Sequence, residues 1–286
     1  MGFSVLMSVY KKEKPEYLRE SLDSVIHQSL QPDEIILVED GKLTDELEDV
    51  VKEFEVKLNG DGCQSEEQEL AQVFITFKVV RLPQNLKLGR ALAEGLKHCT
   101  NELVARMDTD DISEPERFEI QYKYMLENPD VAVSGGLMEE FDPDSDGYRK
   151  IKTMPTEKTA IIKYSRYRNP VNHMTVMFRK TKVEEAGGYR NYPYLEDYDL
   201  WTRMLAKGFE FSNIDRVFVK ARTEKNIYER RGGIEYCKQY LELRKQQKSL
   251  GLLSMKEYML AVILTIGMTL QPSWFRKMIY QKILRE

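Results

Sequence analysis

The chain has 286 residues, 42% hydrophobic and 31% charged, which supports one sizeable core and excludes wholesale disorder. A formal net charge of −4 argues against a general polyanion binder, so no nucleic-acid partner is expected. The three cysteines, Cys63, Cys99 and Cys237, form no CxxC pair; they fit a reduced compartment and suggest neither a disulfide framework nor a zinc site.

The opening, MGFSVLMSVYKKEKPEY, lacks the basic start and cleavage site of a secretory signal, and its apolar run over 3–9 reads as a buried strand. A helix follows over 14–30, with Pro15 suited to its first turn and Leu18, Leu22, Val25 and Ile26 on one face. EIILVE (34–39) is a second buried-type strand ending at Asp40-Gly41. Residues 44–54 read as a helix with Thr44 as N-cap and Leu47 where a capping box would carry Glu. The polar stretch 59–72 reads as a surface loop, 73–82 as a third strand, 88–98 as a helix and 103–107 as a fourth strand. This alternation predicts an α/β fold with a mostly parallel sheet and helices on both faces.

Beyond residue 112 the pattern is mixed. Residues 115–129 read as a helix, 131–136 and 173–180 as strands, and 195–208 as a helix stopped by Gly208. From Glu235 onward nine Lys/Arg stand against four acids, a tail of +5 that leaves −9 for the first 234 residues. It contains YMLAVILTIGMTL (258–270), thirteen residues, whereas a membrane-spanning helix needs roughly 20. Two arrangements are open and compatible: a helix packed on the protein's own core, and a segment lying on an anionic membrane surface.

Open parallel sheets bind ligands beyond the carboxyl ends of their strands. Tyr10, Asp40 and Asp108 each sit just past such an end, so three polar side chains are expected to converge on one crevice. The sequence after the first strand, SVYKKEKPEY, contains no GxGxxG, and no GxxxxGK[ST] occurs, so phosphate is not held by a glycine-rich loop. Asp108-Thr109-Asp110-Asp111 offers the alternative. Hard cations such as Mg²⁺ or Mn²⁺ take carboxylate oxygens and accept phosphates as remaining ligands, and a bound dication relieves the repulsion among the acids. A lone DxD is common on solvated loops; here it directly follows a buried-type strand.

Three blocks in order, with the spacing between them, carry a resemblance: VLMSVYKKEKPEYLRESLDSVIHQSLQPDEIILVEDG, NLKLGRALAEGLKHCTNELVARMDTDDISEPERFEIQ and HMTVMFRKTKVEEAGGYRNYPYLEDYDLWTRMLAKG. From about residue 3 to 214 the chain resembles the family 2 glycosyltransferases, inverting nucleotide-sugar enzymes, and among them the bacterial branch that builds capsular, exopolysaccharide or O-antigen chains. The resemblance implies a GT-A fold: a Rossmann-like, mostly parallel mixed sheet flanked by helices, with a helical C-terminal extension. It implies a catalytic domain over 1–234 (nucleotide-binding half about 1–112, acceptor half about 113–234) and a basic, apolar helical tail over 235–286. Ser8, Val9 and Tyr10 would line the uracil pocket of a UDP-sugar, Asp40 would hydrogen-bond the base, and Gly89 and Arg90 would approach the nucleotide. Asp108 would contact ribose or sugar and support the metal, Mn²⁺ or Mg²⁺, which Asp110 would bind directly with Asp111 beside it. Asp197 would be the general base, with Glu196 its neighbour; these acids also suit a helix N-terminus. Relatives often carry Tyr-Arg after the last core strand; here Ala221-Arg222 stands there, leaving Arg222 as a candidate lid or diphosphate contact. His173 and Trp201 are candidate acceptor contacts, each with a structural role as the alternative.

The implied activity is metal-dependent inverting transfer of a hexose or N-acetylhexosamine to a saccharide acceptor, polyprenyl-diphosphate-linked, in the cytoplasm at the inner face of the membrane. The alternatives are a sugar-nucleotide nucleotidyltransferase, whose glycine-rich loop is missing, and a non-catalytic carbohydrate-binding relative, against which the intact DxD and ED blocks count.

Overall fold

The computed structural model describes residues 2–59, 75–143, 149–223 and 232–272. Its first half follows the predicted alternation. Strands β1 (Phe3–Val9), β2 (Glu34–Glu39), β3 (Thr76–Arg81) and β4 (Leu103–Arg106) pair in parallel in the order β3-β2-β1-β4. They connect through helices α1 (Pro15–Ile26), α2 (Asp45–Asn59) and α3 (Leu88–His98). The strands read as continuous apolar runs because both faces are covered. Val5, Met7 and Leu37 face α1 and α2 through Leu18, Leu22, Leu47 and Val50. Their alternates Leu6, Ile36 and Val38 face α3 through Ala91, Leu92 and Leu96. Thr44 caps α2, its Oγ1 accepting from the Leu47 amide at 3.4 Å. Asn59 closes the helix by exchanging two hydrogen bonds with the Phe77 backbone at 2.6 and 3.0 Å. The expected surface loop that follows falls on residues 60–74, outside the described residues.

Gly95 lets α3 lie close on the sheet. A Cβ there would stand 2.5 Å from Val38 Cγ2 and 2.6 Å from Leu6 Cδ1. Gly95→Ala is therefore expected to destabilise the domain by about 1–3 kcal/mol, as overpacking a tight core does. Chemical denaturation would show this as a lower midpoint at unchanged slope; an unchanged midpoint would mean that the helix shifts at no cost.

The second half adds β5 (Ile112–Ser113), α4 (Arg117–Glu127), β6 (Val131–Phe141), β7 (Arg149–Lys152), α5 (Lys158–Ser165), β8 (Met177–Arg179), α6 (Lys180–Glu185), α7 (Glu196–Ala206) and β9 (Glu210–Arg222). The sheet continues β4-β8-β6-β9-β5, with β8 antiparallel to β4 and β6, and β6 parallel to β9. The strand expected over 173–180 is a 3-10 turn (His173–Thr175) followed by the short β8. Strand β6 runs on past residue 136 to Phe141 because β9 pairs with it along its length, through register shifts at Gly136 and Leu137. Those shifts break the two-residue period, and Asn213, Asp215 and Arg216 interrupt the apolar run, so β9 carries no clear strand signal.

Helices α8 (Ile234–Ser249) and α9 (Met255–Thr269) form the tail. The packed arrangement holds for α8. Arg244 is buried and donates to the carbonyls of Arg166 and Tyr167, to Tyr198 Oη and to Gln247 Oε1, at 2.7–3.0 Å. Gln246 reaches Asp199 at 2.8 Å and Tyr192 donates to the Gln239 carbonyl at 3.0 Å, so α8 braces α7 and the turn before it. Among the described residues no helix is long and apolar enough to cross a membrane.

Candidate active site

In-register parallel pairing brings the expected residues together. Val9 lies opposite Glu39, so Tyr10 and Asp40 leave β1 and β2 side by side, and the Asp40 amide donates to the Val9 carbonyl at 2.8 Å. Strand β4 ends against β1 as the Met107 amide donates to the Leu6 carbonyl at 3.2 Å, which places Asp108 next to Ser8. Thr109 Oγ1 then ties the acidic loop to the Ser8 carbonyl at 3.3 Å and to Glu13 at 2.9 Å, and Ser21 Oγ donates to the Asp108 carbonyl at 2.8 Å. Val9 and Asp40 are buried, Tyr10 is exposed, and Asp40 Oδ1 accepts from the Leu86 amide at 2.5 Å. The Asp40 carboxylate therefore holds the loop leading into α3 as one wall of the crevice.

The carboxylates of Asp108, Asp110 and Asp111 have oxygens within 4.8 Å of one another. Burial, then the charges of Asp108 and Glu13, push Asp110 from the usual 3.8 up to about 7. Burial and its two neighbours also raise Asp111 well above the carboxylate range. Three oxygen donors whose mutual repulsion is only partly offset by the ion pair from Arg106 to Asp108 are the donor set a hard divalent cation fits, so Asp108 and Asp110 suit the cation expected of them. Asp111 is buried and spends Oδ1 on the Arg222 amide at 3.0 Å, which makes it the anchor of the loop.

Arg222, the candidate lid or diphosphate contact, packs against the acidic loop. Its guanidinium donates to the Asp110 carbonyl, pairs with Glu20, and lies 4.2 Å from the centroid of the Tyr17 ring, almost wholly covered. These contacts hold it as a strut under the acidic loop. The remainder of that stretch, 224–231, lies outside the described residues.

Helix α3 links the nucleotide wall to the second acidic pair. A Cβ on Gly89 would meet the Arg190 carbonyl at 2.4 Å and Glu196 Cβ at 2.8 Å, so glycine alone permits this contact between the start of α3 and the start of α7. Arg90 next to it is exposed. Lys87 and Tyr194 hold left-handed backbones (φ 73° and 69°) one or two residues before these two helix starts. Non-glycine residues in that region are strained, and such strain concentrates at ligand sites.

Glu196 and Asp197 open α7. Burial, then the Asp197 charge, lift Glu196 from 4.5 to about 8. Burial also raises Asp197, against the opposing hydrogen bonds from the Tyr198 amide and the Asn169 side-chain amide. Hydrogen bonds to the charged form favour it, so these two donors hold Asp197 toward the carboxylate, whereas burial and the Asp197 charge hold Glu196 toward the acid.

The residue that sequence reading missed is Arg106, inside β4. It is buried and ion-paired to Asp108, and its charge opposes the upward shifts of Asp110, Asp111, Glu196 and Asp197 alike. Among the described residues its Nε and Nη1 have no hydrogen-bond partner. The available signal was a lone basic residue in an otherwise apolar strand, since a buried charge is kept only when paired. Asn169, the partner of Asp197, carried no such signal.

The structure places His173 and Trp201, the candidate acceptor contacts, inside the protein. His173 is buried, bonded through Nε2 to Tyr189 Oη at 2.9 Å, and desolvation keeps its imidazole neutral; Trp201 is fully buried in edge contact with it. Neither presents a face to a ligand. Trp201 belongs to the core on the α3 side of the sheet, and the charge of Arg106 acts on His173 beside it.

Comparisons with known proteins agree with this geometry. Residues 4–185 match the family described as Glycosyl transferase family 2. The amylovoran biosynthesis glycosyltransferase AmsE of Erwinia amylovora is 40% identical over 87% of this chain and 86% of its own. The UDP-Gal:alpha-D-GlcNAc-diphosphoundecaprenol beta-1,3-galactosyltransferase of Escherichia coli is 36% identical over 99% of this chain and 96% of its own. Among solved structures, S. aureus TarS 1-349 in complex with UDP-GlcNAc superposes with a TM-score of 0.65 at 16% identity, covering 99% of this chain and 76% of that one, a likeness of fold.

Proposed function

The chain belongs to glycosyl transferase family 2 and is a glycosyltransferase of GT-A fold; from that premise we propose that it transfers a hexose or N-acetylhexosamine from a UDP-sugar to a polyprenyl-diphosphate-linked saccharide, with inversion, in surface polysaccharide biosynthesis. The observation that carries the reading is the juxtaposition of two acidic groups of unlike character, near enough for the Asp108 charge to act on Glu196. One is a repelling carboxylate cluster suited to a cation. The other is a carboxylate pair whose environments drive the two members apart. The one relative named for a UDP-galactose donor and a diphosphoundecaprenol-linked acceptor supports this choice of substrates and makes UDP-galactose the first donor to try.

In this mechanism Tyr10, Ser8 and Val9 line the base pocket, and Asp40 fixes the wall beside it. Asp110 and Asp108 hold Mn²⁺ or Mg²⁺, which supplies the positive charge that a departing diphosphate requires. Asp197 takes the proton of the acceptor hydroxyl as its oxygen bonds to the anomeric carbon. The bond from that carbon to the diphosphate oxygen breaks, its electron pair leaves with UDP, and one displacement inverts the centre. Asn169 and the Tyr198 amide orient Asp197 for that transfer, and Glu196, protonated, avoids a second charge beside it. Residues 1–234 are the catalytic unit and 235–286 an appendage, of which α8 is braced against that unit.

The test is a donor screen. The protein is incubated with Mn²⁺, UDP-galactose, UDP-glucose and UDP-N-acetylhexosamines in turn, and a polyprenyl-diphosphate saccharide. UDP release with an inverted anomeric linkage in the product is expected from one donor. Pyrophosphate release from UTP and a sugar phosphate would identify a nucleotidyltransferase, and no nucleoside diphosphate from any donor would overturn the proposal.

A further inference from the structure

Helix α9 is built inside out. The side facing the protein carries small and polar residues: Ala261, Thr265 and Thr269 are buried, Thr265 Oγ1 accepts from Arg244 Nε at 3.4 Å, and Thr269 Oγ1 donates to the Thr265 carbonyl at 2.7 Å. The large apolar side chains point outward, with Met259 at 53% exposure, Ile263 at 63% and Leu270 at 51%, alongside Leu260, Leu264 and Ile266. A helix that stabilised only its own domain would show the reverse pattern. So continuous an exposed apolar face marks an interaction site.

This face runs toward the candidate active site. The Gly233 amide donates to the Thr269 carbonyl at 3.0 Å, which seats the end of α9 against the start of α8. There Ile234 is 70% exposed, Tyr236 stacks edge-on with Tyr194 at 5.6 Å between centroids, and Tyr194 is 57% exposed, two residues before Glu196. Apolar surface thus extends from α9 to the rim beside the carboxylate pair.

We propose that the outward face of α9 docks on an anionic lipid bilayer and sets the mouth beside Glu196 and Asp197 against the membrane surface. This rests on the reading of a lipid-linked acceptor. Charge selects a bilayer over a second copy of the chain. The appendage is +5 while the first 234 residues are −9, Lys256 lies on the exposed side of α9, and the stretch following it, SWFRKMIYQKILRE, adds Arg276, Lys277, Lys282 and Arg285 with Trp274 and Tyr280. Basic and aromatic residues next to an apolar helix face are the composition of an interfacial segment. At 15 residues α9 is about 22 Å long, too short to span and suited to lying in the interface plane.

The full chain is mixed with vesicles of equal parts phosphatidylglycerol and phosphatidylcholine, sedimented, and compared with a Leu260→Asp/Ile263→Asp variant, whose replaced side chains already face solvent. The wild type is expected to co-sediment, and the variant to partition at least about tenfold more weakly, since buried apolar area and charge both set such binding. Pure phosphatidylcholine vesicles and high salt are expected to weaken wild-type binding. The proposal is overturned if the wild type stays in the supernatant or the variant sediments equally well. It is also overturned if light scattering shows a dimer that the variant dissolves while vesicle binding is absent. Transfer rates distinguish the two layers of argument. On a water-soluble short-chain acceptor both proteins should act alike, and on a polyprenyl acceptor in vesicles the variant should be slower. A protein that binds vesicles but transfers to no lipid-linked acceptor would refute the acceptor reading and leave the docking surface standing.

Discussion

Replacing Asp197 with Asn is expected to lower turnover by about 10²–10⁴-fold, the usual worth of a positioned general base, with UDP affinity unchanged. The amide keeps the size of the carboxylate, its oxygen can accept from the Tyr198 amide, and Asn169 can flip so that its otherwise unpartnered Oδ1 accepts from the new NH2 group, so folding is preserved and only the proton acceptor is lost. Glu196→Gln is expected to cost far less, because Glu196, pushed up to about 8, already carries the proton at neutral pH and an amide imitates it. Turnover in the wild type should fall as pH drops through the raised pKa of Asp197, an acid limb above the ordinary aspartate value of 3.8. Steady-state kinetics of the two variants, with isothermal titration of UDP, decide the matter. Equal losses in both, or a larger loss in Glu196→Gln, would assign the base to Glu196.

Asp110→Ala is expected to abolish measurable Mn²⁺ binding and to lower turnover by about 10³-fold, since several kcal/mol of charge stabilisation leave with the cation, at about 1.4 kcal/mol per factor of ten. Calorimetry of Mn²⁺ alone gives a readout independent of activity. In the wild type, Mn²⁺ affinity should rise between pH 6 and pH 8, because binding must displace the proton that Asp110 holds with a pKa of about 7. The sign for stability is opposite. A raised carboxyl pKa means the folded state binds more protons than the unfolded one between 3.8 and about 7, so the metal-free protein loses stability as pH rises through that window. Without metal, Asp110→Ala should therefore melt no lower than the wild type at the top of that range. A clear drop in melting temperature there would show that Asp110 serves the fold and not a cation.

Much of the first half was legible because local and global signals agreed. The apolar runs at 3–9 and 34–39 are strands to the residue, and 88–98 is a helix to the residue, since a parallel sheet covered on both faces demands uninterrupted apolar strands and amphipathic helices between them. The second half was less legible. Strand β9 pairs with β6 across three register shifts, so its alternation fails, and the 173–180 run divides into a turn and a three-residue strand. The carboxyl-end positions of Tyr10, Asp40 and Asp108 followed from strand order alone, as did their convergence once β1, β2 and β4 were taken as neighbours.

What stayed hidden in each case was a relation between distant parts of the chain. No local pattern links Asn169 to Asp197, Arg222 to the Asp110 carbonyl, or Gly89 to Glu196. The sequence by itself determined the α/β architecture, the family and the acids at the strand and helix ends, because periodicity and motif spacing are local properties. Only the tertiary structure decided the upward shifts of Glu196 and Asp197, the burial of Trp201 and His173, and that α9 turns its large apolar side chains outward. Burial, desolvation and the approach of charges are set by packing between segments far apart in the chain, and these decide what each residue can do.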